Sequence, residues 1–197
     1  MSDPTPASEA SPVPSPVPSP LDRVRPLIRT RQVREFTDEP LSAGEIDALA
    51  EVARWSGSSN NRQPWRFLVI RDRATLRRLA EAGLPQTRAL HTATAALAVV
   101  LPVDPARAIS HAYDDGRVAE RILVATAMLG LAGGITWVRD DVVGAARDLL
   151  GLPADRTVRT IVALGHPTEA ARHPKSAPGQ ARLPRAELVF DERWPAS

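Results

Sequence analysis

Gly57-Ser58-Ser59-Asn60-Asn61-Arg62-Gln63-Pro64-Trp65 is the stretch on which the reading of this chain turns. It is polar and turn-prone, and it sits between a helical pattern and a short apolar run. A bare connector at such a junction needs only about two to six residues. This one is longer and carries hydroxyls, carboxamides and a rigid indole. Such a set can hydrogen-bond the edge of a flat heterocycle and pack against its face. The stretch reads as a binding loop.

Upstream of the loop, Pro40-Leu41-Ser42 leads into a helix, with Ser42 as N-cap and Glu45 completing a capping box. Ile46, Leu49, Ala50 and Ala53 fall on one face at helical spacing, and Gly57 is a candidate stop. Downstream, Phe67 to Ile70 is a continuous apolar run that predicts a buried strand, ended by Arg71-Asp72. A second helix is expected over Arg73 to Ala82. A second buried strand is expected over Ala95 to Val100, broken by Pro102 to Pro105.

The longest helix is expected from Asp114 to Leu129, with Val118, Ile122, Ala125 and Leu129 on one stripe. Over Ile122 to Leu129 it is apolar nearly all round, which implies burial on a second side such as a dimer interface. Gly130, Gly133 and Gly134 punctuate its end. A strand (Ile135 to Val138), a helix closed by Gly151 (Asp141 to Leu150) and a core strand (Val158 to Leu164) follow. The segment from Arg182 to Trp194 reads as part extended, and its apolar Leu188, Val189, Phe190 and Trp194 call for a surface to dock on. Helices mixed with about four buried strands make an α+β or α/β sandwich.

The 197 residues suffice for one domain with a real core, at a hydrophobic fraction of 43%. Residues 1–20 repeat Pro-Val-Pro-Ser between Pro12 and Pro20 and have no apolar stretch, so they are expected to be a disordered tail ahead of a domain over 21–197. The absence of cysteine excludes disulfides, thiolate metal sites and Cys nucleophiles, and fits a reducing, cytoplasmic setting. No apolar run approaches a membrane span. Lys175 is the lone lysine among 25 basic residues, and the arginines are interleaved with acids rather than clustered, so no nucleic-acid partner is expected.

Arg29-Thr30-Arg31-Gln32-Val33-Arg34 places three arginines within six residues. The cluster reads either as a solvated basic helix end or as a grip for a phosphate. Gly130-Leu131-Ala132-Gly133-Gly134 lacks the G-x-G-x-x-G spacing and follows a helix, so no dinucleotide fold is indicated. His91, His111, His166 and His173 show no metal-ligand spacing, and Ser58 and Ser59 are not in a nucleophile elbow. No catalytic acid–base set emerges, and no metal is expected.

Arg31 to Phe36, Asp38-Glu39-Pro40-Leu41, the capped helix and Ser58-Ser59-x-Asn61-x-Gln63-Pro64-Trp65-Arg66-Phe67 together resemble the nitroreductase family of flavin enzymes. Asp115 to Leu131, the Leu150-Gly151-Leu152-Pro153 turn, Leu164-Gly165-His166-Pro167 and Arg182-Leu183-Pro184 with a following apolar strand continue the likeness in one order from Leu21 to Trp194.

That resemblance implies an α+β, three-layer fold in which a central mixed β-sheet is flanked by helices, assembled as an intimate homodimer with FMN at the interface. By position, Arg31, Gln32 and Arg34 would hold the phosphate and ribityl chain. Gly57, Ser58, Ser59 and Asn61 would reach the flavin edge from the partner subunit, and Gln63 would support that loop or the flavin. Gly133 and Gly134 would bring backbone close to flavin N5, and Arg182 would close on the phosphate. NADPH or NADH would be the electron donor and a nitroaromatic, quinone or similar conjugated small molecule the acceptor, in ping-pong order. Hydride transfer at N5 needs stacking room more than a protein acid or base, which accounts for the missing acid–base set. Two further readings stay open: a specialised member that fragments its flavin, dehalogenates or oxidises a natural product, and a non-catalytic flavin-binding protein. Three departures bear on them: Thr30-Arg31-Gln32 in place of the family's Arg-Arg-Ser, Gly57 where proline is common, and the polar Asn60 and Arg62.

Overall fold

The computed structural model describes residues 18–174, 176 and 182–194. Residues 1–17 of the expected tail therefore lie outside the described residues, and the tail's predicted end at residue 20 gives way to an ordered start. Ser19 caps helix α1 (Pro20–Arg29), its hydroxyl accepting from the Asp22 N–H in a complete capping box. The described residues up to Thr30 belong to a unit of their own. Within it, Leu21, Val24, Leu27 and Ile28 are exposed at helical spacing, so α1 carries an apolar stripe that its own unit does not cover.

Residues 31–197 form the second unit. Its elements are α2 (Ala43–Arg54), β1 (Arg66–Ile70), α3 (Arg73–Ala82), β2 (Ala95–Pro102), α4 (Ala108–Met128), β3 (Ala132–Trp137), α5 (Val143–Leu149), β4 (Arg156–Gly165) and α6 (Glu169–Arg172). The four strands make one sheet in the order β1-β2-β4-β3. The alternation of side chains along β2 builds the layers. Ala96 and Ala98 point into a core with Leu76 and Leu79 of α3 and Ala146 of α5. Leu97, Val99 and Leu101 point the other way, into a core with Ile46 and Leu49 of α2 and Val118 and Ile122 of α4. Both faces of the sheet are thus covered by helices, and the three-layer expectation holds.

The sheet expected to be mixed is antiparallel at every pairing among the described residues. The reason lies in the connections. Ile70 at the end of β1 is opposite Ala96 at the start of β2, so the chain between them must return to the end of the sheet that it left. It goes out along α3 and comes back through the 3-10 turn Arg88–His91. Gly133 and Gly134, expected at the close of the long helix, lie inside β3; only Gly130 (φ 70°) makes the helix-ending turn. The C-terminal segment 182–194, expected to be part extended, instead contains the 3-10 turn Arg185–Glu187, and Leu188, Val189 and Trp194 are exposed on it. Helix α4 starts at Ala108, six residues before its predicted start. Ile122, Leu123, Ala125 and Thr126 are buried on it while Ala127 and Met128 face outward.

Candidate functional site

Segment 31–36 runs beside the free edge of β3. The Val33 N–H donates to the Gly133 carbonyl at 2.8 Å, and Phe36 bridges to Pro167. A side chain at Gly134 would place its Cβ 2.2 Å from the Val33 carbonyl oxygen, so only glycine lets the segment lie this close. The segment that carries Arg31, Gln32 and Arg34 thereby lies against the double glycine. Among the described residues Arg34 donates only to the Gln32 Oε1, at 3.4 Å, whereas Arg31 donates to the carbonyls of Ala171, Arg172 and His173 at 3.3, 2.7 and 3.2 Å. Arg31 therefore satisfies the carbonyls at the end of α6, a structural task that its sequence position does not announce.

The loop 57–65 is built differently. Ser59–Asn61 form a 3-10 turn, and Asn60, Asn61 and Gln63 adopt left-handed φ values of 50°, 53° and 50°. Asparagine tolerates this region; glutamine does so less readily, and such residues cost of order 1–3 kcal/mol each unless their surroundings enforce them. The enforcement is visible. Asp114, fully buried on α4, accepts from the Ser59 N–H at 3.1 and 3.3 Å, and its Oδ1 lies 4.0 Å from Arg117. The Ser58 hydroxyl accepts from the Gln63 N–H at 2.8 Å, and the Gln63 amide donates to Asn61 Oδ1 at 3.2 Å. Arg121 donates to the Trp55 carbonyl at 2.8 Å, and buried Trp65 pins the far end in the core. Ser59, Asn61 and Gln63 are left exposed on a rigid rim, and Ser58 half-exposed.

Asp114 was not among the expected site residues. Its signal in the sequence is the stripe itself, because Asp114 precedes Val118 and Ile122 by one and two helical steps. An acid on the buried face of a helix must have a partner.

These two groups do not meet within one chain. Gly134 pairs with Ala163, Ala163 with Ala96, and Ala96 with Ile70, so β1 meets that level at its last residue. The loop joins β1 at Arg66, about 13 Å back along the strand and about 14 Å across three strand spacings. Asp114, which holds the loop, lies about 20 Å along α4 from the helix end that leads into β3. Arg182 heads the exposed C-terminal segment.

A second buried acid neighbours the first. Asp115 Oδ2 accepts from the Thr160 hydroxyl at 2.8 Å. Burial pushes its carboxyl up from the usual 3.8 to about 6, against the Thr160 hydroxyl and the Arg159 charge, which pull it down. In the unfolded chain it titrates near its ordinary value, so folding is favoured below that pH and the advantage is lost as pH rises to about 6. With 1.36 kcal/mol per unit, the swing is on the order of 3 kcal/mol. Asp115→Asn is therefore expected to be more stable relative to the native protein at pH 8 than at pH 4. Urea unfolding at the two pH values measures this, and equal differences would refute the buried, perturbed carboxyl.

Among the described residues, no group of His, Cys, Asp and Glu could hold a metal ion, and no helix is long and apolar enough to cross a membrane.

The chain is similar to known proteins in sequence and in overall fold. Residues 27–100 match the family model described as the Nitroreductase family. A protein of Archaeoglobus fulgidus, provisionally named NADH dehydrogenase/NAD(P)H nitroreductase, is 32% identical over 148 residues, covering 71% of this chain and 82% of that protein. The NADH dehydrogenase of Thermus thermophilus is 27% identical over 76% of this chain and 88% of its own length. Among solved structures, an FMN-dependent nitroreductase from Clostridium difficile superposes with a TM-score of 0.73 at 22% identity, covering 85% of this chain and 98% of that one. The chain belongs to the nitroreductase family.

Proposed function

We propose that this protein is an FMN-dependent oxidoreductase that takes electrons from NADH or NADPH and reduces a nitroaromatic, quinone or similarly conjugated acceptor in ping-pong order. The observation that carries the reading is the arginine-bearing arm hydrogen-bonded onto the double glycine of β3. The donor set fits FMN: guanidinium groups for a phosphate, backbone at Gly133 and Gly134 without side chains, and a rim of hydroxyls and carboxamides for the edge of a heterocycle. The nitroreductase of Clostridium difficile and the NADPH:FMN oxidoreductase of Vibrio harveyi carry the same cofactor in their names, which supports the reading.

When bound, FMN would accept a hydride at N5 from the nicotinamide and pass it to the acceptor. Arg34, with Gln32 beside it, would hold the phosphate end. Gly133 and Gly134 would let the ring lie against backbone. Ser58, Ser59 and Asn61, held by Asp114, would meet the ring edge from a second copy of the chain, with Gln63 bracing the turn and Arg182 closing on the phosphate. We propose a homodimer because one copy separates the two halves of the site. The exposed stripe of α1 and the outward Ala127 and Met128 of α4 are apolar surface of the kind a second copy would bury. A cytoplasmic location belongs to the same proposal and is motivated by the cysteine-free composition.

The direct test is the visible spectrum of the purified protein before and after anaerobic NADH or NADPH. A flavin spectrum that bleaches with donor is expected. A protein that stays colourless after incubation with FMN refutes the reading and favours a binding protein without turnover, for which the diversion of Arg31 to the α6 carbonyls is the specific argument. Arg34→Ala is expected to weaken FMN retention by roughly tenfold to a hundredfold, the range for losing a charge-assisted hydrogen bond. Arg31→Ala should lower retention less, because part of its guanidinium is already engaged. Full flavin occupancy in both variants would remove the phosphate assignment.

A further inference from the structure

A cavity of about 610 Å³ opens between the first turns of α4 and the sheet end where β2 finishes and β4 begins. Its lining shares no residue with the arm, the double glycine or the loop, and it does not depend on the flavin reading. Its walls are largely apolar, with Leu101, Val103, Pro105, Ala108 and Trp137 among them, and its size is that of small-molecule sites. Asp115 lines it. The residue is 7% exposed, and its Oδ1 has no hydrogen-bond partner among the described residues, while Oδ2 is taken by Thr160.

A β-bulge shapes the floor. Val99 pairs with Thr160 and Val100 with Val158, so Arg159 has no opposite residue, and Arg159 and Thr160 both line the cavity instead of alternating. Arg159 forms an ion pair with Asp140. It therefore does not supply the missing donor, although its charge is felt at Asp115. A carboxylate oxygen shielded from water and left without a donor is costly, and the strongest remedy is a charge-assisted N–H bond. We propose that this cavity binds a primary ammonium group carried on an apolar alkyl or aryl body, which rests against Trp137 and the aliphatic wall while the Asp115 carboxylate, whose Oδ1 is closed to water in this structure, turns that oxygen toward the ammonium.

The experiment is titration of the full-length protein with benzylamine, read by saturation-transfer NMR and calorimetry, with benzyl alcohol as the uncharged counterpart. Saturable binding of one benzylamine per chain is expected, weakened about tenfold or more by Asp115→Asn and for benzyl alcohol. Ala112→Phe, at an exposed position on the cavity wall one helical turn before Asp115, keeps the carboxylate while crowding the space and is expected to abolish binding. Benzylamine stacked on a bound flavin would ignore both substitutions. The proposal is overturned by any of three results: no saturable binding, equal affinity for both compounds, or binding that survives Asp115→Asn and Ala112→Phe.

Discussion

Gly134→Ala is expected to leave the protein without bound flavin and to destabilise it by about 1–3 kcal/mol or more, the range for forcing extra volume into packed structure. The added methyl would sit 2.2 Å from the Val33 carbonyl oxygen, which is backbone and cannot rotate aside. Relief requires segment 31–36 to move off β3. That breaks the 2.8 Å bond from the Val33 N–H to the Gly133 carbonyl and carries Arg34 away from the proposed phosphate position. Gly144→Ala is the natural control. Gly144 lies in α5, where an added Cβ would meet nothing within 4 Å, and alanine there should be neutral or stabilising by up to about 1 kcal/mol. The ratio of flavin to protein absorbance and the urea midpoint report both effects. A Gly134→Ala protein with full flavin and native stability would show that the close approach has no bearing on the site.

The second large effect is expected at Asp114, from the other half of the site. Asp114→Ala removes the buried carboxylate that holds the Ser59 N–H, and with it the main tie between the loop and α4. Hydrogen bonds to charged groups contribute about 1.5–3 kcal/mol, so a stability loss of that size is expected. The left-handed residues Asn60, Asn61 and Gln63 would then relax toward ordinary backbone, taking Ser58, Ser59 and Asn61 off the rim. Flavin affinity should fall about tenfold to a hundredfold, which fluorescence of released FMN can measure. Asp114→Asn keeps an acceptor oxygen for the Ser59 N–H and should recover much of the loss. An Asp114→Ala protein that binds flavin normally would remove the loop from the site.

Much of this architecture is legible in the residues because local rules and packing agree. The capping box at Ser42 and Glu45 forms as expected, and helix α3 occupies its predicted span. The runs at 95–100 and 158–164 are strands buried between helices, as expected, whereas the run at 67–70 forms the edge strand β1, on which Ile70 is buried, Phe67 and Leu68 are half-buried and Val69 is exposed, because no strand among the described residues covers its outer side. The failures have physical sources. Glycine pairs signal a turn as strongly as they signal close backbone approach, and Gly133-Gly134 is of the second kind. Strand direction depends on where a connection returns, which no periodicity encodes, so a mixed sheet could not be told from an antiparallel one. The bonds from Arg31 to the carbonyls at 171–173 could not be foreseen either, because those partners are more than a hundred residues away.

The site was half legible for a related reason. The loop's composition pointed to recognition, but its rigidity comes from Asp114, whose role depends on how α4 lies against the loop. The spacing between loop and arm emerges only from the sheet register. That register supports the proposal that each flavin site is completed by two copies of the chain.

The measurement that tests this claim most directly is the flavin content of a hybrid dimer. Gly134→Ala and Asp114→Ala chains, carrying different affinity tags, would be co-expressed and the mixed dimer isolated through both tags. Each variant alone is expected to hold little flavin. In the hybrid, one site combines the intact double glycine of one chain with the intact loop of the other, so about one FMN per two chains is expected at wild-type affinity. A hybrid as empty as either parent would contradict the shared site, because it would mean that each chain builds its flavin site alone.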